Sequence, residues 1–113
     1  MSGSITITPA PGCYVIRAGD AVIGSTLRAL QLTEGSYPPV IYVPRGDVNM
    51  ALLARTPKTS YCPWKGDCSY FSVQTPTGHL EDAAWSYEAP KPEMAAIAGY
   101  VAFYPDKINI ALV

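Results

Sequence analysis

Residues 68–75 read CSYFSVQT, and the alternation inside that run decides the fold class. Successive side chains of an extended chain point to opposite faces. Phe71 and Val73 therefore share one face, and Cys68, Tyr70 and Ser72 share the other. Upstream, the stretch TSYCPWKGDCSY at 59–70 reads as a β-hairpin whose turn carries Pro63 and Gly66, the glycine suited to a positive φ. Downstream, TPTGH at 75–79 supplies Pro76 and Gly78 for a second hairpin connection.

The same grammar recurs along the chain. Short runs rich in Val, Ile, Thr and Tyr (SITITP, CYVIR, AVIGST, PPVIYVP, AAWSYEAP, YVAFYP and KINIALV) lie between turn residues. In Ser4 to Thr8 the apolar side chains fall on every second position, as a half-buried strand requires. Gly19-Asp20 suits a tight turn between two strands. Eleven prolines and nine glycines at short intervals leave little room for long helices. One segment differs. In PKPEMAAIAG, Pro92 suits a first helical position and Glu93 complements the helix start. Met94, Ile97 and Ala98 follow helical spacing, and Gly99 can end it. A short helix is expected from about Pro92 to Ala98, with a weaker helical turn around Asp47 to Leu53. The expected fold is mostly β: one domain over residues 1–113, built of antiparallel sheets as a sandwich or partly open barrel, with one short helix near the C-terminus.

A chain of 113 residues makes one domain and buries roughly two-thirds of its unfolded surface without needing staples. Hydrophobic residues make up 49%, charged residues 15%, and the net charge is -1, which argues against a disordered tail and against a general nucleic-acid binder. The basic residues are scattered singly, with no run to dock on phosphates or on an acidic membrane. No charged segment precedes an apolar one at the N-terminus, and no apolar run nears the ~20 residues that cross a bilayer. Three cysteines, an odd number, do not make a disulfide framework, so a cytoplasmic protein with reduced thiols is expected.

The chemistry-bearing residues gather around the turn at 59–70. The soft metal ligands are Cys13, Cys62, Cys68 and His79; a zinc site would need all four to converge, and the spacing of Cys62 and Cys68 is not that of structural zinc pairs. No metal site is expected. Lys65, in the same turn as Cys62, could lower that thiol's pKa, but nothing brings the single histidine to either thiol. Small apolar fillers across a hairpin are the better reading of the cysteines. Neither the P-loop nor G-x-G-x-x-G occurs, so no common nucleotide cradle is present and no cofactor is named. Lys65-Gly66 can still present one ammonium and one backbone amide to an anion. Tyr42, Tyr61, Trp64, Tyr70, Trp85, Tyr87 and Tyr104 fall near strand ends or turns. They could wall a concave site for a small ligand, or fill a wet aromatic core.

The blocks YVPRGDV (42–48), TSYCPWKGDCSYFSV (59–73) and AWSYEAPKPEMAAIAGYVAFYPDK (84–107) resemble the domain of unknown function 427 family, which some collections label nucleotidyltransferase-like. The resemblance runs from about Val15 to Lys107. It implies signature polar positions at Tyr42, Asp47, Thr59, Cys62, Lys65, Gly66, Tyr70, Trp85, Tyr87 and Tyr104. Pro44, Pro63 and Pro90 match as well and read as direction setters for the chain. Members of the family often continue past the DK pair with an acidic tail containing tryptophan, where this chain has INIALV. Nucleotidyl transfer wants paired carboxylates around divalent metals, whereas Glu81-Asp82 is the one adjacent pair here and adjacent strand residues face opposite ways.

Two functions of different class are expected from these residues. In the first, a small phosphorylated or carboxylated molecule binds under the turn. Lys65 and the Gly66 amide meet its anionic end, and Asp47 orients Lys65 or serves as base. Tyr42, Thr59, Cys62, Tyr70, Trp85 and Tyr104 line the rest. In the second, the chain is a non-enzymatic module whose INIALV edge pairs with a second copy as a homodimer. The positions of Lys65 and Asp47 separate them: convergence in one concavity favours the ligand reading, and both facing open solvent far apart defeats it.

Overall fold

A computed structural model describes residues 4–113, which form ten strands. In chain order these are β1 (Ile5–Pro9), β2 (Tyr14–Ala18), β3 (Ala21–Thr26), β4 (Leu30–Glu34), β5 (Val40–Tyr42), β6 (Leu53–Cys62), β7 (Gly66–Thr75), β8 (Gly78–Ser86), β9 (Ala102–Phe103) and β10 (Asn109–Leu112). They assemble into three antiparallel sheets: β1-β4-β5, β10-β2-β3 and β6-β7-β8-β9. A radius of gyration of 13.5 Å agrees with the ~13 Å of one compact domain of this length. Among the described residues no helix is long and apolar enough to cross a membrane.

The hairpins read from turn chemistry are present. Gly19 takes φ +59° between β2 and β3, and Pro76-Thr77 joins β7 to β8. Between β6 and β7 the turn is Pro63-Trp64-Lys65, closed by Lys65 N–H donating to the Cys62 carbonyl at 3.2 Å. Pro57, which has no N–H to give a ladder, lies where the β6–β7 register breaks between Arg55 and Thr59. A second break on β7, between Phe71 and Val73, is matched by Asp82 on β8 at φ 49°, whose N–H donates to Ser72 Oγ.

The helical expectation near the C-terminus is met in place but differs in kind. Pro92–Ile97 forms a 3-10 helix kinked at Met94. Met94 and Ile97 are buried three residues apart, a spacing that a 3-10 turn satisfies as well as an α-helix, and Gly99 ends the segment at φ +75°. The weaker expectation over 47–53 resolves into two single 3-10 turns, Arg45–Asp47 and Met50–Leu52.

Two hydrophobic cores result, and β7 feeds both. Phe71 and Val73 pack with Ile16, Ile23, Ala84 and Phe103 in the first. Cys68 and Tyr70 pack with Leu32, Tyr42, Tyr87 and Ile97 in the second. This is the face assignment read from CSYFSV. Backbone bridges from Val43 to Val101 and from Gly24 to Val48 tie the outer sheets to the rest. At the rim, Arg45 and Arg55 both donate to Glu88 Oε2, at 3.0 and 2.8 Å, and both guanidiniums lie over the Phe71 ring.

Candidate functional site

The second core is not closed. Beside it lies a cavity of about 230 Å³ whose polar wall is Lys65, Glu34, Tyr42, Tyr70, Tyr87 and Tyr104, with Trp85 among them. Each strand places its contribution by alternation. Tyr70 on β7 and Trp85 on β8 are cross-strand partners, so they project side by side on one face. Tyr42 comes from β5 and Glu34 from the end of β4.

Lys65 enters from the β6–β7 turn, where its carbonyl accepts from Lys91 N–H at 3.0 Å. With its backbone fixed at both polar atoms, the side chain runs inward and is only 11% exposed. Its Nζ donates to Glu34 Oε1 at 2.9 Å and stands 5.8 Å from the centre of the Tyr87 ring. Gly66 makes this turn possible: its φ is +106°, a backbone conformation that strains any L side chain, although a Cβ there would meet the backbone of Pro90 and Lys91 only at ordinary contact distance.

The aromatic wall is hydrogen-bonded internally. Trp85 Nε1 donates to the Tyr42 hydroxyl at 3.2 Å, with the two rings perpendicular. The Trp85 and Tyr104 rings stack at a tilt, 4.5 Å between centres. The Tyr70 hydroxyl shares a hydrogen bond of 2.9 Å with Ser60 Oγ, and Lys58 Nζ lies over its ring. Burial is the main reason the phenols resist ionisation. Tyr42 and Tyr87 are pushed far above the ordinary phenol range, and Tyr104 is pushed up to about 12 with Tyr70 as its next contributor. Burial likewise pushes the Cys68 thiol up, against hydrogen bonds that pull it down, which makes it a packing residue rather than a nucleophile. At neutral pH Tyr42, Tyr87 and Tyr104 each keep an O–H to donate, and Lys65 adds its ammonium hydrogens. Among the described residues, Glu34 is the one carboxylate on the cavity wall.

Of the expected site residues, Lys65, Tyr42, Tyr70, Trp85 and Tyr104 come together here. The others do not. Asp47 does not meet Lys65: its Oδ2 accepts from Thr26 Oγ1 at 2.7 Å and its Oδ1 from Arg28 at 3.1 Å, on a separate shallow depression. Those two partners, Thr26 first, hold its carboxyl below the usual range, which suits an anchor for the 44–48 loop rather than a base. Thr59 is exposed on β6. Cys62 packs at the edge of the second core, and Gly66 acts through its backbone, so neither lines the cavity. Tyr61 and Trp64 face outward, 61% and 43% exposed. Glu34, which takes the place expected of Asp47, had no local signal: it lies 31 residues from Lys65 in the chain. Tyr87 belongs to the signature positions and lines the cavity. Among the described residues no group of three or more His, Cys, Asp or Glu side chains is placed to hold a metal ion.

No curated protein matches the chain. The sequence model of a family described as a domain of unknown function (DUF427) matches residues 6–113, nearly the whole length, and the chain belongs to that family.

Proposed function

We propose that this protein binds a small organic molecule in the Lys65 cavity and holds an oxygen acceptor of that molecule, a carboxylate or a carbonyl, against the Lys65 ammonium. The observation that carries this is Lys65 itself. A lysine turned inward from a hairpin turn is uncommon, and here its charge sits on the wall of a cavity rather than in solvent. Protonated phenols around it add donors, so the wall favours acceptors over donors. Glu34 already neutralises the ammonium, which favours a neutral or singly charged head over a phosphate dianion. A cavity of about 230 Å³ falls below the ~300 Å³ lower end for drug-sized ligands, so the part of the ligand seated here is small. This is a binding function first. Lys65 and the phenols are also the groups that would stabilise negative charge building on that oxygen.

The test is a thermal-shift panel of small carboxylates, carboxamides, sugar phosphates and nucleotides on the native protein and on Lys65→Met. A ligand at a hundred times its Kd adds about 2.7 kcal/mol, a shift of many degrees for a domain of this size. Stabilisation by carboxylates or amides that disappears in Lys65→Met supports the reading. Equal shifts in both proteins, or none across the panel, overturn it.

A second reading has its own observation. β10 is an edge of its sheet, and Leu112 is 60% exposed. Pairing of two such edges would make a symmetric dimer with no catalytic role. Sedimentation velocity over a hundredfold range of concentration decides it, because a monomer throughout is incompatible with this reading.

A further inference from the structure

The Lys65 cavity has a neighbour. A second cavity of about 520 Å³ shares four wall residues with it: Tyr37, Pro38, Val40 and Trp85. Beyond that common edge the chemistry changes completely. The rest of the second wall is Ile41, Phe103, Pro105, Ile108 and Ile110, with Pro39 and Asn109 beside them. Among the described residues no charged side chain lines it, whereas the first cavity holds a lysine and a glutamate.

The common edge is built rather than incidental. Trp85 is fixed by its hydrogen bond to Tyr42 on one side and by its stack on Tyr104 on the other, so its indole is held in place between the two spaces. Tyr37 is 72% exposed, on a turn closed by its N–H donating to the Glu34 carbonyl at 3.0 Å. The residue that pairs with Lys65 thus also anchors the turn that carries the shared edge. Pro38 and Pro39 stiffen the chain between that turn and β5.

We infer that the ligand is an amphiphile. Its polar head lies against Lys65, and a short hydrocarbon tail passes along Trp85 and Val40 into the second cavity. This rests on the Lys65 cavity being a ligand site, and it adds the class of molecule. The apolar walls, Ile, Val and Pro together with Tyr37, Trp85 and Phe103, select a hydrocarbon tail, and the lack of charge on them disfavours a second polar end. Specificity would then divide. The head fixes orientation through Lys65, and the tail sets affinity through the apolar area it buries.

Calorimetric titration with straight-chain carboxylates from acetate to decanoate, and with the matching primary amides, tests this. Each methylene that enters the second cavity is expected to tighten binding about fourfold until the cavity is filled. Asn109→Trp, at an exposed position on the far wall, should abolish that gain for long chains and leave the shortest acids unchanged. Ile41→Asp should do the same by placing a charge there, and Asn109→Trp covers the case in which it fails to fold. Short acids that bind with no dependence on length would overturn this inference and leave the Lys65 site standing. A steep length dependence that survives both variants would also overturn it, since the tail would lie elsewhere. Absence of binding at every length would remove the Lys65 reading and this one together.

Discussion

Lys65 Nζ donates to Glu34 Oε1 at 2.9 Å, and this single contact joins the β6–β7 turn to the last residue of β4. Both side chains are mostly buried, 11% and 19% exposed. Removing one partner leaves a shielded charge without its mate, which costs more than the pair itself contributes. Lys65→Met is expected to lose about 1–3 kcal/mol in urea unfolding. Lys65→Met combined with Glu34→Met should recover part of that loss, because no lone charge remains. A double variant as unstable as the sum of the singles would show that the two groups do not interact.

Gly66 is expected to tolerate no side chain. At φ +106° an L-residue is strained, although the added Cβ would stand at ordinary contact distance, 3.4 Å from the Lys91 nitrogen. Gly66→Ala should cost about 1–2 kcal/mol or more, measured as a lower unfolding midpoint. It should also weaken any ligand held by Lys65, since the turn that aims the lysine would shift.

Acid should destabilise the fold through two carboxylates. Asp47 is held low by Thr26 and then Arg28, and Glu88 is held low chiefly by Arg55, with Arg45 assisting. A depressed folded pKa gives stability that is present above the unfolded values of about 3.9 and 4.3 and is lost as pH falls through the folded ones. Melting temperature should therefore drop with acid below about pH 4. Asp47→Asn and Glu88→Gln should each flatten that drop, and an unchanged acid limb in both would refute the assignment.

Alkali acts on the opposite side. The phenols of Tyr42, Tyr87 and Tyr104 are raised by burial, so their contribution is complete below the unfolded phenol value near 10 and is lost as pH climbs through the folded ones. Ultraviolet titration should show Tyr104 ionising at about 12. Tyr42 and Tyr87 should ionise only as the chain unfolds, seen as a jump in phenolate absorbance coincident with loss of circular dichroism. Tyr42→Phe should diminish that jump.

The alternation at 68–75 makes β7 and its two faces legible from sequence, because a period of two has one physical meaning in a short run between turn residues. Turn chemistry at Gly19, Pro63 and Pro76 does the same for three hairpins. The kind of helix at Pro92–Ile97 is less legible, since two buried residues three apart fit either helical form. The cavity is half legible. Lys65, Tyr70 and Trp85 stand on adjoining strands or their turn, and local patterning finds them. Glu34 arrives through the packing of a separate sheet, which no local pattern encodes. Asp47 carries the same charge and lies near Tyr42 in sequence, yet Thr26 and Arg28 hold it on another surface.

β7 sends Phe71 and Val73 into one core and Cys68 and Tyr70 into the other. A strand shared in this way makes the two cores one cooperative unit, since neither can open without unzipping the ladder both depend on. The amides of β7 should then be the last in the molecule to exchange with solvent deuterium, released only by global opening. Ligand seated beside Tyr70 should slow exchange at Ile16, in the other core, by the same factor as at Tyr70 itself. In such a molecule, occupancy of one small cavity is registered everywhere as lifetime.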